Sequence, residues 1–251
     1  MPSISAIILT LNEEINIQRC LNSLQQIADE VIIVDSFSTD NTRKIAEAAG
    51  ARFVTEPWKG YAAAKNQAMD LAFHPFILFM DADEELSDEL RKSILKKKDK
   101  LKGAYSFNRL NNYCGKWIRH GGFYPDKKIR LIEKGCADWE GDFVHEKIVC
   151  KPDTIITQLT GDLFHYSYYA IEEHKMRLEK YARLGAESLI HRKATFIGIK
   201  KIINPVAKFL RHYVLNAGFL DGMQGFQLAF YSAREVYLKY KYAARKTHPG
   251  R

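Results

Sequence analysis

The chain has 251 residues, 46% of them hydrophobic and 27% charged, a composition that suits a globular fold with a sizeable core. Its net charge of +8 is uneven: residues 166–251 carry 16 Lys and Arg against 6 Asp and Glu, a balance of +10, which leaves the rest of the chain at −2. Cys20, Cys114, Cys136 and Cys150 are scattered with no CxxC pair, which argues against a zinc site or a disulfide framework and for reduced, mostly buried thiols.

In chain order, residues 5–10 and 31–35 are short apolar runs that end at polar residues, the pattern of buried parallel strands. Ile15, Ile17, Leu21 and Leu24 give the intervening helix its apolar face. The unit then repeats: Ser38 or Thr39 is the expected N-cap, Ile45, Ala46 and Ala49 are expected to face inward, and Gly50 closes the helix before a strand at 52–55. A helix at 61–72 leads to the most hydrophobic strand, 76–80, which runs directly into Asp81-Ala82-Asp83. The pattern is that of a Rossmann-like α/β sheet, in which ligands bind beyond the carboxyl ends of the strands, so Thr10, Asp35 and Asp81 should meet at one rim.

After a helix at 88–98 that Ser87 can start, the chain becomes aromatic and glycine-punctuated through Asp162. Alternation at 104–110 and 128–132 predicts strands that complete a mixed sheet flanked by helices. Helical patterns follow at 171–191, 196–216 and 222–242, so a main domain of 1–165, with halves 1–100 and 101–165, and a basic helical extension of 166–251 are expected.

No leader is expected at the N-terminus, because the apolar residues 4–9 give way to Asn12, Glu13 and Glu14, and the expected location is the cytoplasm. Nor is a membrane span: the apolar window 196–215 carries Lys200, Lys201, Lys208, Arg211 and His212. Phe196, Ile199, Ile203, Val206, Phe209 and Leu210 nevertheless share a broad helical face. It suits an anionic membrane surface, the body of the protein, or a homodimer formed through the C-terminal helices. A nucleic-acid partner is not expected, since the extension shows no recognition-helix pattern.

Two carboxylates flanking one small residue where a strand leaves the sheet can meet a hard divalent cation, Mg²⁺ or Mn²⁺, together with diphosphate oxygens. Asp81 and Asp83 are therefore the candidate metal ligands. Asp35, at the end of the second strand, can accept a hydrogen bond from the N3–H of uracil, with Thr10, Leu11, Asn12 and Glu13 as neighbouring partners, and Lys65 can reach a phosphate. Neither strand is followed by GxGxxG, and no GxxxxGK[ST] occurs, which removes the signatures of dinucleotide oxidoreductases and P-loop enzymes. Of the aromatic residues near these motifs, Trp58, Trp117, Tyr124 and Trp139 could stack on sugar rings.

Four blocks occur in order: Ala6-Ile7-Ile8-Leu9-Thr10-Leu11-Asn12-Glu13-Glu14, Val34-Asp35-Ser36-Phe37-Ser38-Thr39-Asp40-Asn41-Thr42, Ala64-Lys65-Asn66-Gln67-Ala68, and Phe79-Met80-Asp81-Ala82-Asp83-Glu84. Together they resemble the inverting family 2 glycosyltransferases of GT-A fold. Tyr124-Pro125-Asp126, Arg130-Leu131 and Val144-His145-Glu146 are similar to the subgroup containing the lipopolysaccharide core β-glucosyltransferases. One departure is Asp35-Ser36, where many members carry two successive acids.

The resemblance implies that Asp81 and Ala82 lie against the nucleotide sugar, that Asp83 binds the metal, and that His165 completes the metal site. It also implies Glu146 as the general base, with Asp142 in reserve. Trp117, Arg119, Tyr124, Arg130 and Trp139 are the expected acceptor-side residues; the cations among them suit a phosphorylated or carboxylated glycan or glycolipid. The expected activity is transfer of a hexose, glucose, from a UDP-linked donor to a hydroxyl of a bacterial surface glycan such as lipopolysaccharide inner core. Two alternatives remain, a sugar nucleotidyltransferase and a membrane-associated binding module without catalysis.

Overall fold

The computed structural model describes residues 2–141, 146–192 and 195–247. The chain divides into two compact units, Met1–Arg109 with Asp126–His165, and Leu110–Pro125 with Tyr166–Arg251.

The first unit begins with alternating strands and helices: β1 (Ile4–Thr10), α1 (Ile17–Leu24), β2 (Glu30–Asp35), α2 (Thr42–Ala48), β3 (Arg52–Thr55), α3 (Tyr61–Leu71) and β4 (Phe76–Asp81). It continues with β5 (Glu84–Leu86), α4 (Asp88–Lys97) and β6 (Ala104–Tyr113), whose last residues pass into the second unit and pair there with β7 (Lys116–Ile118). The remaining strands are β8 (Asp126–Glu133), β9 (Ala137–Glu140), β10 (Lys147–Cys150) and β11 (Ile156–Tyr168). The main sheet has the order β3-β2-β1-β4-β8-β6-β11-β5. Its first four strands are parallel, while β8 joins β4 antiparallel, giving the expected mixed α/β sheet flanked by helices.

Burial on both faces explains why these strands read as continuous apolar runs. Along β1, Ile4, Ala6 and Ile8 point to one face and pack with Ile17, Cys20, Leu21 and Leu24 of α1 and with Leu90 and Ile94 of α4. Ile7 points to the other face, where Ile32, Phe79, Ala68 of α3 and Trp139 lie. Each fully buried Ile or Phe contributes about 1.5–3 kcal/mol of transfer free energy, so this double core fixes the strand register. That register sets Thr10 against Asp35 and Leu9 against Asp81, bringing three strand ends to one rim.

Several local expectations need correction. Ile15 is exposed and precedes α1, and Ala49 is exposed beyond the end of α2. Ser38 and Thr39 do not cap α2, which starts at Thr42 after Asn41; the Thr42 N–H donates to Asp40 Oδ1 at 3.0 Å instead. Ser87 does cap α4, accepting from the Leu90 N–H at 3.2 Å.

In the second unit, α5 (Ile171–His191), α6 (Ile197–Leu210) and α7 (Gly222–Thr247) pack together, with Leu178, Ala182 and Leu238 in one small core and Tyr113, Ile118 and Leu228 in another. The expected helix at 196–216 is shorter. Phe196 takes φ of 57°, α6 ends at Leu210, and a π turn over Arg211–Leu215 closes with the Asn216 N–H on the Arg211 carbonyl at 2.9 Å. No described helix is long and apolar enough to cross a membrane.

Candidate functional site

The loops that follow β1 and β2 are laced together by side chains. Asp35 is buried, and its Oδ1 accepts from Thr10 Oγ1 at 2.8 Å and from the Ser38 hydroxyl, while Oδ2 accepts from the Ser38 N–H at 2.7 Å. Asn12, at φ of 55°, turns its N–H to Ser38 Oγ at 2.7 Å and accepts the Thr39 N–H on Oδ1 at 2.8 Å. The Glu13 N–H donates to Thr42 Oγ1 at 2.8 Å, and Leu11 is left exposed between them. Ser38 and Thr39 thus shape the rim rather than start a helix. Each carboxylate oxygen has two lone pairs, so Asp35 Oδ2 keeps one available to another donor.

Asp81, at the end of β4, sits in a charged network. Arg130, on the neighbouring β8 and only 4% exposed, places Nη2 2.6 Å from Asp81 Oδ2 and within a short hydrogen bond of Glu84 Oε1. Lys65 of α3, also buried, lies 3.4 Å from Asp81 Oδ1, and Arg109 reaches Glu84 at 3.7 Å while forming a two-nitrogen contact with Asp126. Burial works to raise the Asp81 carboxyl, but the Arg130 guanidinium and the Lys65 ammonium hold it well below the usual carboxylate range. Glu84 goes the other way: burial and the adjacent Asp81 push its carboxyl up despite Arg130. Against the cost of burial, the two acids keep Arg130 firmly protonated. Cys20 donates its thiol to the Asp81 carbonyl at 3.6 Å; burial, followed by Glu84, Asp83 and Asp81, pushes this thiol up so that it stays protonated.

Arg130 was expected on the acceptor side, yet its guanidinium is a buried counterion. Trp139 is likewise buried. Its ring meets Phe79 edge-on at 5.1 Å and carries Lys65 Nζ 4.1 Å from its centroid, and its backbone is clamped by Asn66 through bonds of 2.8 and 2.9 Å. Lys65 also lies 3.5 Å from Glu146 Oε1, so one ammonium links Asp81 and Glu146. Asp142 lies outside the described residues. Ala82 is buried beside Asp81, whereas Trp58 is exposed.

Asp83 and His165 approach at 3.3 Å between Oδ2 and Nε2, because β11 sets His165 opposite Glu84 in the register. One carboxylate and one imidazole form a donor pair that a divalent ion accepts, with diphosphate oxygens and water able to fill the remaining positions. Among the described residues no cluster of three or more His, Cys, Asp or Glu converges, and Asp81 is engaged by cations. Trp117, Arg119 and Tyr124 belong to the second unit, where Trp117 packs edge-on against Tyr166 at 5.2 Å and Arg119 lies 5.5 Å from the Tyr124 ring centroid.

Glu84, Arg109, Asp126 and Cys20 were not singled out from sequence as site residues. The available signal was Arg130 in a strand bounded by Ile129, Leu131 and Ile132: a cation buried in a sheet requires an acid partner, and Glu84 is the nearest acid after the triplet.

Residues 5–148 match the family model described as Glycosyl transferase family 2. The chain belongs to that family. It is 31% identical to the lipopolysaccharide core biosynthesis glycosyltransferase LpsC of Rhizobium meliloti over 263 residues, covering 96% of this chain and 94% of the relative. An uncharacterized glycosyltransferase of Rickettsia typhi is 33% identical over 244 residues, covering 90% of this chain and 81% of its own. Among solved structures, glucosyl-3-phosphoglycerate synthase from Mycobacterium tuberculosis in complex with Mn²⁺, UDP and glucosyl-3-phosphoglycerate overlaps 44% of each chain at 24% identity, with a TM-score of 0.37. For this member of the family, the matched region takes in Asp35, Lys65, Asp81, Asp83 and Glu146, while His165 falls beyond it.

Proposed function

We propose that the chain transfers glucose from UDP-glucose, with inversion, to a hydroxyl of the inner core of bacterial lipopolysaccharide, on the cytoplasmic side. The observation that carries this reading is the single rim at which buried Asp35, the cation-held Asp81 and the Lys65-bound Glu146 meet. The acceptor assignment draws on the similarity to LpsC.

In this reading the open lone pair of Asp35 Oδ2 takes the uracil N3–H, and the loop of Thr10, Leu11, Asn12 and Glu13 surrounds the base. Asp81, fixed by Arg130, receives the ribose and sugar side of the donor, with Ala82 in the backbone turn beside it. A divalent cation, Mg²⁺ or Mn²⁺, held by Asp83 and His165 would supply Lewis-acid neutralisation of the departing diphosphate. Lys65 keeps the Glu146 carboxylate beside the donor. Glu146 takes the proton of the acceptor hydroxyl as the oxygen attacks C1 from the face opposite the diphosphate, which converts an α-linked donor to a β-linked product. Arg130 and Trp139 position Asp81 and Lys65.

Calorimetry and turnover on the same two variants test the reading. Asp83→Ala is expected to abolish the Mn²⁺-dependent part of UDP binding; unchanged affinity with Mn²⁺ removes Asp83 from the metal. Glu146→Gln is expected to bind UDP-glucose as wild type does but to turn over at least about 100-fold more slowly, the usual contribution of a general base. Near-normal turnover in that variant moves the base elsewhere.

A further inference from the structure

The second unit leaves an apolar surface that sugar transfer does not use. Along α6, Ile199, Ile202, Ile203, Val206 and Leu210 are between 47% and 67% exposed. At about 100° per residue, all five fall within an arc of about 100° on the helix. The opposite side faces α7, where Asn204 Nδ2 donates to the Tyr240 hydroxyl at 2.7 Å. A helix on a water-exposed surface normally carries polar residues on its outer face, so this arrangement is inverted.

The patch continues past the helix end. Phe209 stacks on Tyr213 at 5.3 Å and meets Phe226 at 5.9 Å, and Phe226 stacks on Phe230 at 6.1 Å, carrying the surface onto the start of α7, where Met223 is exposed.

Charge identifies what covers it. Residues 195–220 contain Lys200, Lys201, Lys208 and Arg211 and not one Asp or Glu. The next acid, Asp221, is buried and accepts the backbone N–H groups of Arg119 and His120 at 3.1 and 2.8 Å. At the same turn of about 100° per residue these cations lie outside the apolar arc, and Lys208 acts on Glu235 of α7, so the helix has one apolar and one basic side. An anionic bilayer answers both features, taking the apolar side chains at its acyl boundary while its phosphates attract Lys and Arg.

We propose that α6 and the start of α7 dock on the surface of an anionic phospholipid bilayer, with α6 lying in the interfacial plane. The docking is independent of the donor-site reading, since it needs neither nucleotide nor metal.

The test is sedimentation of the full chain with vesicles of phosphatidylcholine alone and of phosphatidylcholine mixed with phosphatidylglycerol. Wild type is expected to sediment with the mixed vesicles only, and less so as salt rises. The double variant Ile203→Glu with Val206→Glu should lower partitioning at least about tenfold, with circular dichroism and UDP binding unchanged. Lys200→Gln with Lys208→Gln and Arg211→Gln should weaken it without touching the apolar face. Failure of wild type to bind the mixed vesicles, or equal binding by wild type and both variants, overturns the proposal. So does light scattering that shows a wild-type dimer which the Glu variant converts to monomer, because a second copy would then occupy the face.

Discussion

One guanidinium decides much of the chemistry at the rim. Arg130 bridges Asp81 and Glu84 from a buried position, and without it two carboxylates would face each other in a low-dielectric setting with only Lys65 and the more distant Arg109 to offset them. Removing one partner from such a cluster costs about 3–5 kcal/mol, more than the lost packing of an Arg stem replaced by Met. Arg130→Met is therefore expected to lower unfolding stability by about that amount at pH 7, measured by urea denaturation. Arg130→Lys should fall between, since one ammonium does not reproduce the planar fork. The pH dependence has a definite sign. Asp81 is held below its unfolded value, so it contributes stability above about pH 3.9 that is lost on acidification, whereas the raised Glu84 has the opposite sign, because protonation relieves the cost of its burial. The gap between wild type and Arg130→Met should accordingly narrow below about pH 4; a constant gap would show that packing, not charge, is what Arg130 contributes.

Helices and strands were largely legible because each has a period. β1, β2 and β4 could be read as continuous apolar runs and the apolar face of α1 from 3.6-residue spacing, and Ser87 was correctly placed before α4. Ser38 and Thr39 misled because hydroxyl residues suit an N-cap and a loop equally well; the choice was made by Asp35, three residues before Ser38, and by Asn12, which is distant in sequence. The end of α6 was also hidden, since the 3.6-residue pattern runs on through the π turn. On α5, His174 shows what packing adds to pattern. It is buried against Tyr113, whose hydroxyl lies 2.9 Å from Nδ1, and under the stacked ring of Tyr168 at 4.7 Å. Burial, then the Arg177 charge, push its imidazole down to about 4. The folded unit thus keeps His174 neutral while the unfolded chain takes up a proton below about pH 6.5, so stability should be lost as pH falls from 6.5 towards 4. His174→Gln should flatten the decline of Tm over that window by about 2–4 °C, and parallel melting curves for the two proteins would discard the assignment.

At the scale of the whole molecule, the gathering of the strand ends at one rim was legible because parallel sheets align their carboxyl ends, but the network behind the rim was not. Arg130 reaches Asp81 because β8 lies antiparallel beside β4, a pairing set by tertiary packing that no local pattern encodes. What the rim reads can be argued from one atom. Asp35 presents an acceptor with both Oδ1 positions taken and one Oδ2 position open, and in the proposed reading that position selects a base with a ring N–H. Uracil and guanine have that donor, whereas adenine and cytosine present ring acceptors there and would meet lone pair against lone pair. A ligand that binds only the folded protein stabilises it by about 2.7 kcal/mol at one hundred times its Kd, which for a chain of this size is about 5–10 °C in Tm. In a thermal-shift series of UDP-, GDP-, ADP- and CMP-sugars with and without Mn²⁺, UDP-glucose is expected to give a shift of that order that needs the metal. GDP-sugars should give a smaller one and ADP- and CMP-sugars almost none. Asp35→Asn should reduce the UDP shift, because its amide can offer nitrogen donors in place of the open acceptor. An ADP-sugar that matched UDP-glucose, or a UDP shift untouched by that substitution, would remove Asp35 from base recognition.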